Sequence, residues 1–301
     1  MGTLGAFAQL EVGELPIHYG QYFNNPQLNP AKNGSDANAE FFAASKRNIG
    51  NFGTIANTFF STAFRISKNN NGFNAFGLYF NNDKEGQVIR RNRFYGTFAR
   101  HQKLNKNWVL SAGLALGAYQ FSTKLNAITG GLSAIAFDGS GGVYLYSQNT
   151  RLGLSVNQFN NVKVQPFQQI IRLNRHFHFI GEHNVVVNDY FHITPSAFVR
   201  YIQTDSLTGH LNALHYGGGI NCLLKQAFSC GGTYEPNEGA YFFVGLKNIN
   251  LSVGEGKKTS SNQLNLQFAY FVPSLINTRT NIQSFELVLS YFIKDAKNDW
   301  W

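Results

Sequence analysis

The chain has 301 residues and a formal net charge of +9, yet only 14% of its residues are charged and its mean hydropathy is −0.22. Its 30 Gly, 28 Phe and 14 Tyr against 7 Pro and 1 Met, with charge well below the usual figure of about a quarter, are the mixture of a transmembrane β-barrel rather than of a soluble domain. The absence of any run of about 18 apolar residues excludes a helical membrane span, no amphipathic helix stands out, and nothing divides the barrel region into two domains.

In chain order, residues 1–8 read as the remnant of a secretory signal, because Leu4-Gly5-Ala6-Phe7-Ala8 ends in an A-x-A cleavage pattern and leaves Gln9 as the first mature residue. Residues 9–35 read as an irregular segment that plugs the periplasmic mouth or threads the lumen. Between Tyr19 and Ser35 stand two Pro and four Asn, which forbid regular pairing and favour fixed turns. The amides of Gln21, Asn25 and Asn29 are there to satisfy a backbone that belongs to no strand. Tyr22, Phe23, Asn25, Pro26, Asn29 and Pro30 are the candidate site residues of this segment, either as a structural lid or as a docking surface for a periplasmic or secreted partner.

From 36 to 293 the pattern is strand after strand. In Gln263-Leu264-Asn265-Leu266-Gln267-Phe268-Ala269-Tyr270 one face is apolar and the other neutral-polar, and Phe285-Glu286-Leu287-Val288-Leu289-Ser290-Tyr291 repeats the scheme. The fold class is therefore all-β, an outer-membrane barrel of about fourteen antiparallel strands, with twelve or sixteen as alternatives. Alternate connections are short (68–71, 102–106, 147–149, then around 188, 226 and 257–261), whereas the longest, 122–139, 160–169 and 274–282, all fall at the other end. Periplasmic turns are the short ones, so both barrel ends are expected in the periplasm. Residues 294–301 form a C-terminal tail whose Trp300 and Trp301 suit the membrane interface.

Candidate chemistry is sparse. Arg90, Arg91, Arg93, Arg100 and Lys103 cluster on one strand and its turn, with Arg90 on the opposite face from Arg91 and Arg93. They make either a basic mouth for an acidic partner or contacts to lipopolysaccharide phosphates; nucleic-acid binding does not suit an exported barrel. His176 and His178 share a face, which in a barrel is the lumen, with His183 further along the same strand, but no cysteine or carboxylate cluster completes a ligand set, so no metal and no cofactor is expected. A lipolytic site needs a Ser–His pair at the lipid boundary, and no spacing singles one out. Gly217-Gly218-Gly219 has no following Lys-Ser/Thr and no helix, so it marks a bend or close backbone approach rather than a phosphate loop. Cys222 and Cys230 flank the turn at Gln226 and face one another across a symmetric hairpin. A disulfide there is one hypothesis and a pair of free thiols the other.

Tyr19-Gly20-Gln21-Tyr22-Phe23-Asn24-Asn25-Pro26, leading to Asn29-Pro30-Ala31 and Gly34, resembles the opening of the PorP/SprF family of outer-membrane proteins. The likeness continues in order through Trp108–Leu114, the hairpin of Gly142–Tyr146 and Arg151–Val156, Arg175-His176-Phe177 with Thr194-Pro195-Ser196, and the closing strand Phe285–Tyr291. The resemblance implies an accessory, non-enzymatic barrel of the type IX secretion and gliding system of Bacteroidota. It further implies recognition of the C-terminal secretion domain of one secreted surface protein or adhesin, with help in its export and anchoring at the cell surface. The implied partners are that client, the type IX translocon barrel and its outer-membrane subunits, and lipid or lipopolysaccharide. A diffusion channel or solute transporter is the alternative that a polar lumen suggests.

Overall fold

The computed structural model describes residues 26–50, 53–69, 71–124, 131–165, 171–203, 213–236, 238–250, 260–274 and 282–295. The leader 1–8, Tyr22, Phe23, Asn25, Trp300 and Trp301 lie outside them. A 3-10 turn at Pro30–Lys32 precedes β1 (Ala39–Asn48), β2 (Ala56–Asn69), β3 (Gly72–Glu85), β4 (Ile89–Lys103), β5 (Val109–Lys124), β6 (Gly131–Tyr146) and β7 (Thr150–Asn157). Then come β8 (Lys163–Val164), β9 (Ile171–Arg172), β10 (Arg175–His183), β11 (Val185–Asn188), β12 (Phe191–Gln203) and β13 (Ala213–Leu224). The last four are β14 (Phe228–Glu235), β15 (Gly239–Asn250), β16 (Ser260–Pro273) and β17 (Ser284–Asp295).

Each wall strand pairs antiparallel with its sequence neighbour, and β1 pairs with β17 from Ala39↔Ile293 to Asn48↔Ser284, which closes the sheet. β11 continues β10 along β12 after a break at Asn184, so the closed wall has fourteen strands, as the alternation predicts. The break is stitched: Asn184 N donates to Asn149 O at 2.7 Å, and Thr194 Oγ1 donates to Asn184 Oδ1 at 3.2 Å. β8 and β9 form a separate ribbon in the connection between β7 and β10.

The two faces separate as the alternation requires. Phe60, Phe76, Phe94, Phe98, Leu114 and Phe268 are exposed on the outer face, while Phe59, Tyr79, Tyr95, Tyr119 and Tyr144 are buried inside. A lipid-facing apolar band with a polar and aromatic interior is the membrane-barrel arrangement. At the end of the long connections the outer face turns polar. Asn92 donates to Gln120 at 3.1 Å, and Gln120 donates to Ser133 at 3.2 Å. Here β3–β6, at 14 to 16 residues, project beyond the 9–11 or so that cross a bilayer.

The stretch 122–139, expected as one long connection, is mostly strand. β6 begins at Gly131 and pairs with β5 from Lys124↔Gly131 onward. Its Gly, Ser and Ala residues have turn composition, but Ile135 and Phe137 point outward in alternation with Ala134, Ala136 and Asp138, and that alternation decides the conformation. Cys222 and Cys230 oppose one another directly on the outer face, as hairpin symmetry requires, and stand unbonded in this structure. Directly opposed strand residues hold their Cβ atoms about 4.5–5.5 Å apart, longer than a bridge prefers.

Candidate functional site: the plugged lumen

The inside of the barrel is occupied by the chain's own N-terminal segment. Gln27, Leu28, Asn29, Ala31, Lys32 and Asn33 are each at most 4% exposed. The local shape follows from sequence. Asn29 is extended and caps the short turn by accepting from Ala31 N at 3.0 Å, while Pro30, which has no N–H to satisfy, takes the first position. Gly34 adopts φ of +76°, a conformation open to glycine that turns the segment toward β1.

The barrel wall answers this backbone group by group. Asn29 Nδ2 donates to Val143 O at 3.0 Å and to Leu154 O at 3.4 Å. Ser155 Oγ donates to Leu28 O at 2.5 Å, Asn157 Nδ2 to Gln27 O at 2.8 Å, and Ser111 Oγ to Ala31 O at 2.6 Å. His101 is fully buried. It bridges Asn33 O (2.8 Å) and the Tyr146 hydroxyl (2.9 Å) and stacks on Phe73 with 4.1 Å between centroids. Arg65 spans Gly34 O at 2.8 Å, Ser35 O at 3.2 Å and Asn38 Oδ1 at 3.1 Å. A non-strand backbone buried in a barrel must find such partners, since each orphaned group costs about 1–3 kcal/mol.

Three glycines make room for the seat. A Cβ on Gly113 would stand 2.5 Å from Ala31 Cα and Pro30 C; on Gly142, 3.0 Å from Asn29 Cγ; on Gly153, 2.9 Å from Asn29 Nδ2. β5 thus approaches the Pro30-Ala31 backbone, and β6 and β7 the side-chain amide of Asn29, more closely than any side chain at these positions would allow. Of the candidate residues, the structure places Asn29 and Pro30 at the centre of this seat and Pro26 at its start, where the described chain begins.

Side chains pack into the interior beside the segment. Leu28 packs with Ile180, Phe198, Tyr241 and Phe271 across the lumen. Phe198 fits the gap left by Gly217, where a Cβ would stand 2.6 Å from its ring. Toward the long-connection end Tyr95 donates to Asp138 at 2.5 Å, Arg93 lies over the Tyr119 ring at 5.0 Å, and Val164 and Leu173 from the β7–β10 connection cover Tyr119 and Phe121.

The remaining sequence candidates fall as follows. Arg90 is exposed outside and Arg91 is buried inside, where Asp83 (2.9 Å) and Glu85 take its charge, so Arg91 adds no free charge to a basic mouth. His176 and His178 are buried in the lumen with stacked rings 6.1 Å apart, and His183 bonds Thr150 Oγ1 at 2.8 Å. The group among the described residues with metal-like donors is another one, His215, Glu235 and Glu238, which sequence spacing did not bring together. There His215 Nδ1 lies 2.8 Å from Glu235 Oε1, and Arg200 Nη2 stands 3.6 Å from the same oxygen, so the cluster is an ion-pair network with a guanidinium already on its carboxylate. A Ser–His pair does form, His101 Nε2 with Ser111 Oγ at 3.4 Å, but both are buried against the plug rather than at the lipid boundary. The signal for His101 and Arg65 was their inward parity, His101 with Arg91, Arg93 and Tyr95 on β4 and Arg65 with Phe59, Ser61 and Ala63 on β2.

At the end of the short connections the lumen opens into a polar cavity of about 370 Å3 between the N-terminal segment and the wall of β12–β17. Asp36 borders it, bonded to Lys32 at 2.7 Å and 3.5 Å from Arg151. Burial alone would raise this carboxyl, but Lys32 and then Arg151 outweigh it and hold it well below its ordinary range.

Comparison with solved structures gives the same architecture at low identity. A Ralstonia pickettii toluene transporter, TbuX, superposes with a TM-score of 0.53 at 11% identity, over 89% of this chain and 92% of that one. A Pseudomonas aeruginosa FadL homologue gives 0.52 at 9%, over 89% and 92%, and a TodX monoaromatic hydrocarbon channel mutant gives 0.52 at 10%, over 90% and 94%. No curated protein matches the chain. The model of the family described as type IX secretion system membrane protein PorP/SprF matches residues 12–291. With that match over nearly the whole barrel, the chain belongs to the PorP/SprF family, an outer-membrane component of type IX secretion.

Proposed function

We propose that this barrel is an accessory, non-enzymatic subunit of type IX secretion that binds the C-terminal secretion domain of one secreted surface protein or adhesin, aids its export and anchors it at the cell surface. The observation that carries the reading is the occupied lumen. A barrel whose cross-section is taken up by its own segment, by Leu28, Ile180, Phe198, Tyr241 and Phe271, and by a folded-in connection is built to hold a partner rather than to pass solute. In this reading the short-connection end, with both ends of the chain, faces the periplasm, and the translocon barrel and its associated outer-membrane subunits are the further partners. The projecting polar wall of β3–β6 then stands outside the membrane, next to lipopolysaccharide and within reach of an exported client. The test is a detergent pulldown from the native outer membrane with mass spectrometry. Co-purification of a large secreted protein carrying a type IX C-terminal domain is expected; a clean barrel with no such partner overturns the reading.

The cavity at one end keeps a second reading in view, a diffusion channel. Planar-bilayer recording separates the two: the plugged barrel is expected to show no steady conductance, and a large steady conductance would favour the channel.

A further inference from the structure

The polar cavity at the short-connection end is more than the space left beside the plug. Arg151, Lys247 and Lys294 line it against the carboxylates of Asp36 and Glu182. Both carboxylates are already engaged, Glu182 by Arg151 at 2.8 Å and Asp36 by Lys32 and Arg151. Lys247 and Lys294 feel these carboxylates but form no ion pair within 4.0 Å among the described residues, so the lining sets three cations against two carboxylates. Asp36 shows how the site holds an anion, since it is a carboxylate seated between an ammonium and a guanidinium at the cavity edge.

Polar groups around the cavity lack partners. The hydroxyls of Ser35 and Ser229 and the Oδ1 of Asn221 are buried without a hydrogen bond, and Ser229 is 1% exposed. The two hydroxyls are donors suited to a carboxylate, and the Asn221 oxygen is an acceptor suited to a peptide N–H. A volume of about 370 Å3 lies within the range of about 300–1,000 Å3 typical of ligand sites, enough for a short extended segment and too small for a folded domain.

We infer that this vestibule is a binding site for an acidic, extended polypeptide segment of a partner, whose carboxylates meet Lys247 and Lys294 while its backbone meets Asn221. The inference rests on the reading of the protein as a partner-binding barrel and gives that reading a second, periplasm-side contact.

The test uses the folded full-length barrel in detergent, with fluorescence anisotropy of a labelled octapeptide carrying four central Asp residues and of the same peptide with Asn in their place. The Asp peptide is expected to bind at least tenfold more tightly, and its affinity to fall at least tenfold in the double variant Lys247→Gln/Lys294→Gln. A control double variant, Lys84→Gln/Arg90→Gln, removes the same charge from a cross-strand pair on the outer face and is expected to leave binding unchanged. Equal binding of the two peptides, equal loss in the control variant, or no binding of the Asp peptide overturns the site. The outcomes separate from those of the pulldown: a client that still co-purifies with Lys247→Gln/Lys294→Gln while the peptide is lost leaves the secretion reading standing, and peptide binding without any client leaves only the vestibule.

Discussion

The glycine seat makes the sharpest prediction. In Gly113→Ala the new Cβ would stand 2.5 Å from Ala31 Cα and Pro30 C, and both are backbone atoms that cannot rotate away. The segment must move by roughly an ångström to restore van der Waals distance, which lengthens the 2.6 Å bond from Ser111 and the 3.0 Å and 3.4 Å bonds from Asn29. Overpacking of this kind costs about 1–3 kcal/mol, and at about 1.4 kcal/mol per decade that is about a 5- to 150-fold rise in the population with the plug unseated. Hydrogen exchange read by mass spectrometry reports it directly. The amides of Ala31, Lys32, Asn33 and Ser35 are bonded within the segment, and their exchange should accelerate by that factor while the strand amides keep their protection. Gly96→Ala is the control. Its Cβ points outward and meets nothing nearer than Leu78 Cδ2 at 3.9 Å, so it should fall within about 0.5 kcal/mol of the wild type. Asn29→Ala loosens the same seat from the plug side without adding atoms and should act in the same direction. Unchanged exchange over 26–38 in a folded Gly113→Ala barrel would refute the idea that the wall glycines hold the plug.

Three further outcomes follow from the geometry. Asp36 has a folded-state pKa below its unfolded one, so its contribution to seating the plug is complete above about pH 4 and is lost as pH falls through the folded value; exchange protection of 26–38, corrected for intrinsic rate, should hold from pH 8 to 5 and drop below about 4, whereas Asp36→Asn should show the lowered protection already at pH 7. Leu114 lies in the middle of the outer apolar band, so Leu114→Arg should cost about 2–4 kcal/mol in reversible urea unfolding from phospholipid vesicles, and no loss would place that face away from lipid. Cys222 and Cys230 should give two reactive thiols per chain in denaturant without reductant; none before reduction would show that the opposed pair closes on oxidation.

The wall of the barrel was legible because lipid selects on parity. Leu264, Leu266 and Phe268 announce an outer face whatever they pair with, and the count of fourteen follows from summing such segments. The interior was far less legible. Parity states that His101, Arg65 and Arg91 point inward, but it does not name what they meet. The partners are separated by 6 to 8 residues for Arg91 with Asp83 and Glu85, 68 for His101 with Asn33, and 114 and 125 for Asn29 with the β6 and β7 carbonyls. The basic reading of Arg91 failed for that reason: its neutralising carboxylates sit on the adjacent strand, not beside it in sequence. Residues 131–139 misled in the opposite sense, because Ser133 on the outer face and Ala134 and Ala136 on the inner one fit a strand as readily as a turn.

Three of the stretches that resemble the family share one physical explanation at the plug. Trp108–Leu114 supplies Val109, which packs with Ala31, then Ser111 as donor to Ala31 O and Gly113 as clearance. Gly142–Tyr146 supplies clearance at Gly142, the Val143 carbonyl for Asn29, and Tyr144 and Tyr146 against Ala31. Arg151–Val156 supplies the Asp36 partner, clearance at Gly153, the Leu154 carbonyl for Asn29 and the Ser155 donor to Leu28 O. Each strand alternates a residue that bonds the segment with one that yields space to it, and Asn29 alone reaches two of the three. A segment needed only to block water would be held by bulk and by apolar contact, as Leu28 is across the lumen. One held by matched donors, acceptors and glycine gaps is held in a single register, which fixes where Ser35 and Asp36 emerge. That register is what shapes the cavity beside them, so the contacts that seat the segment in the lumen also set one wall of the cavity.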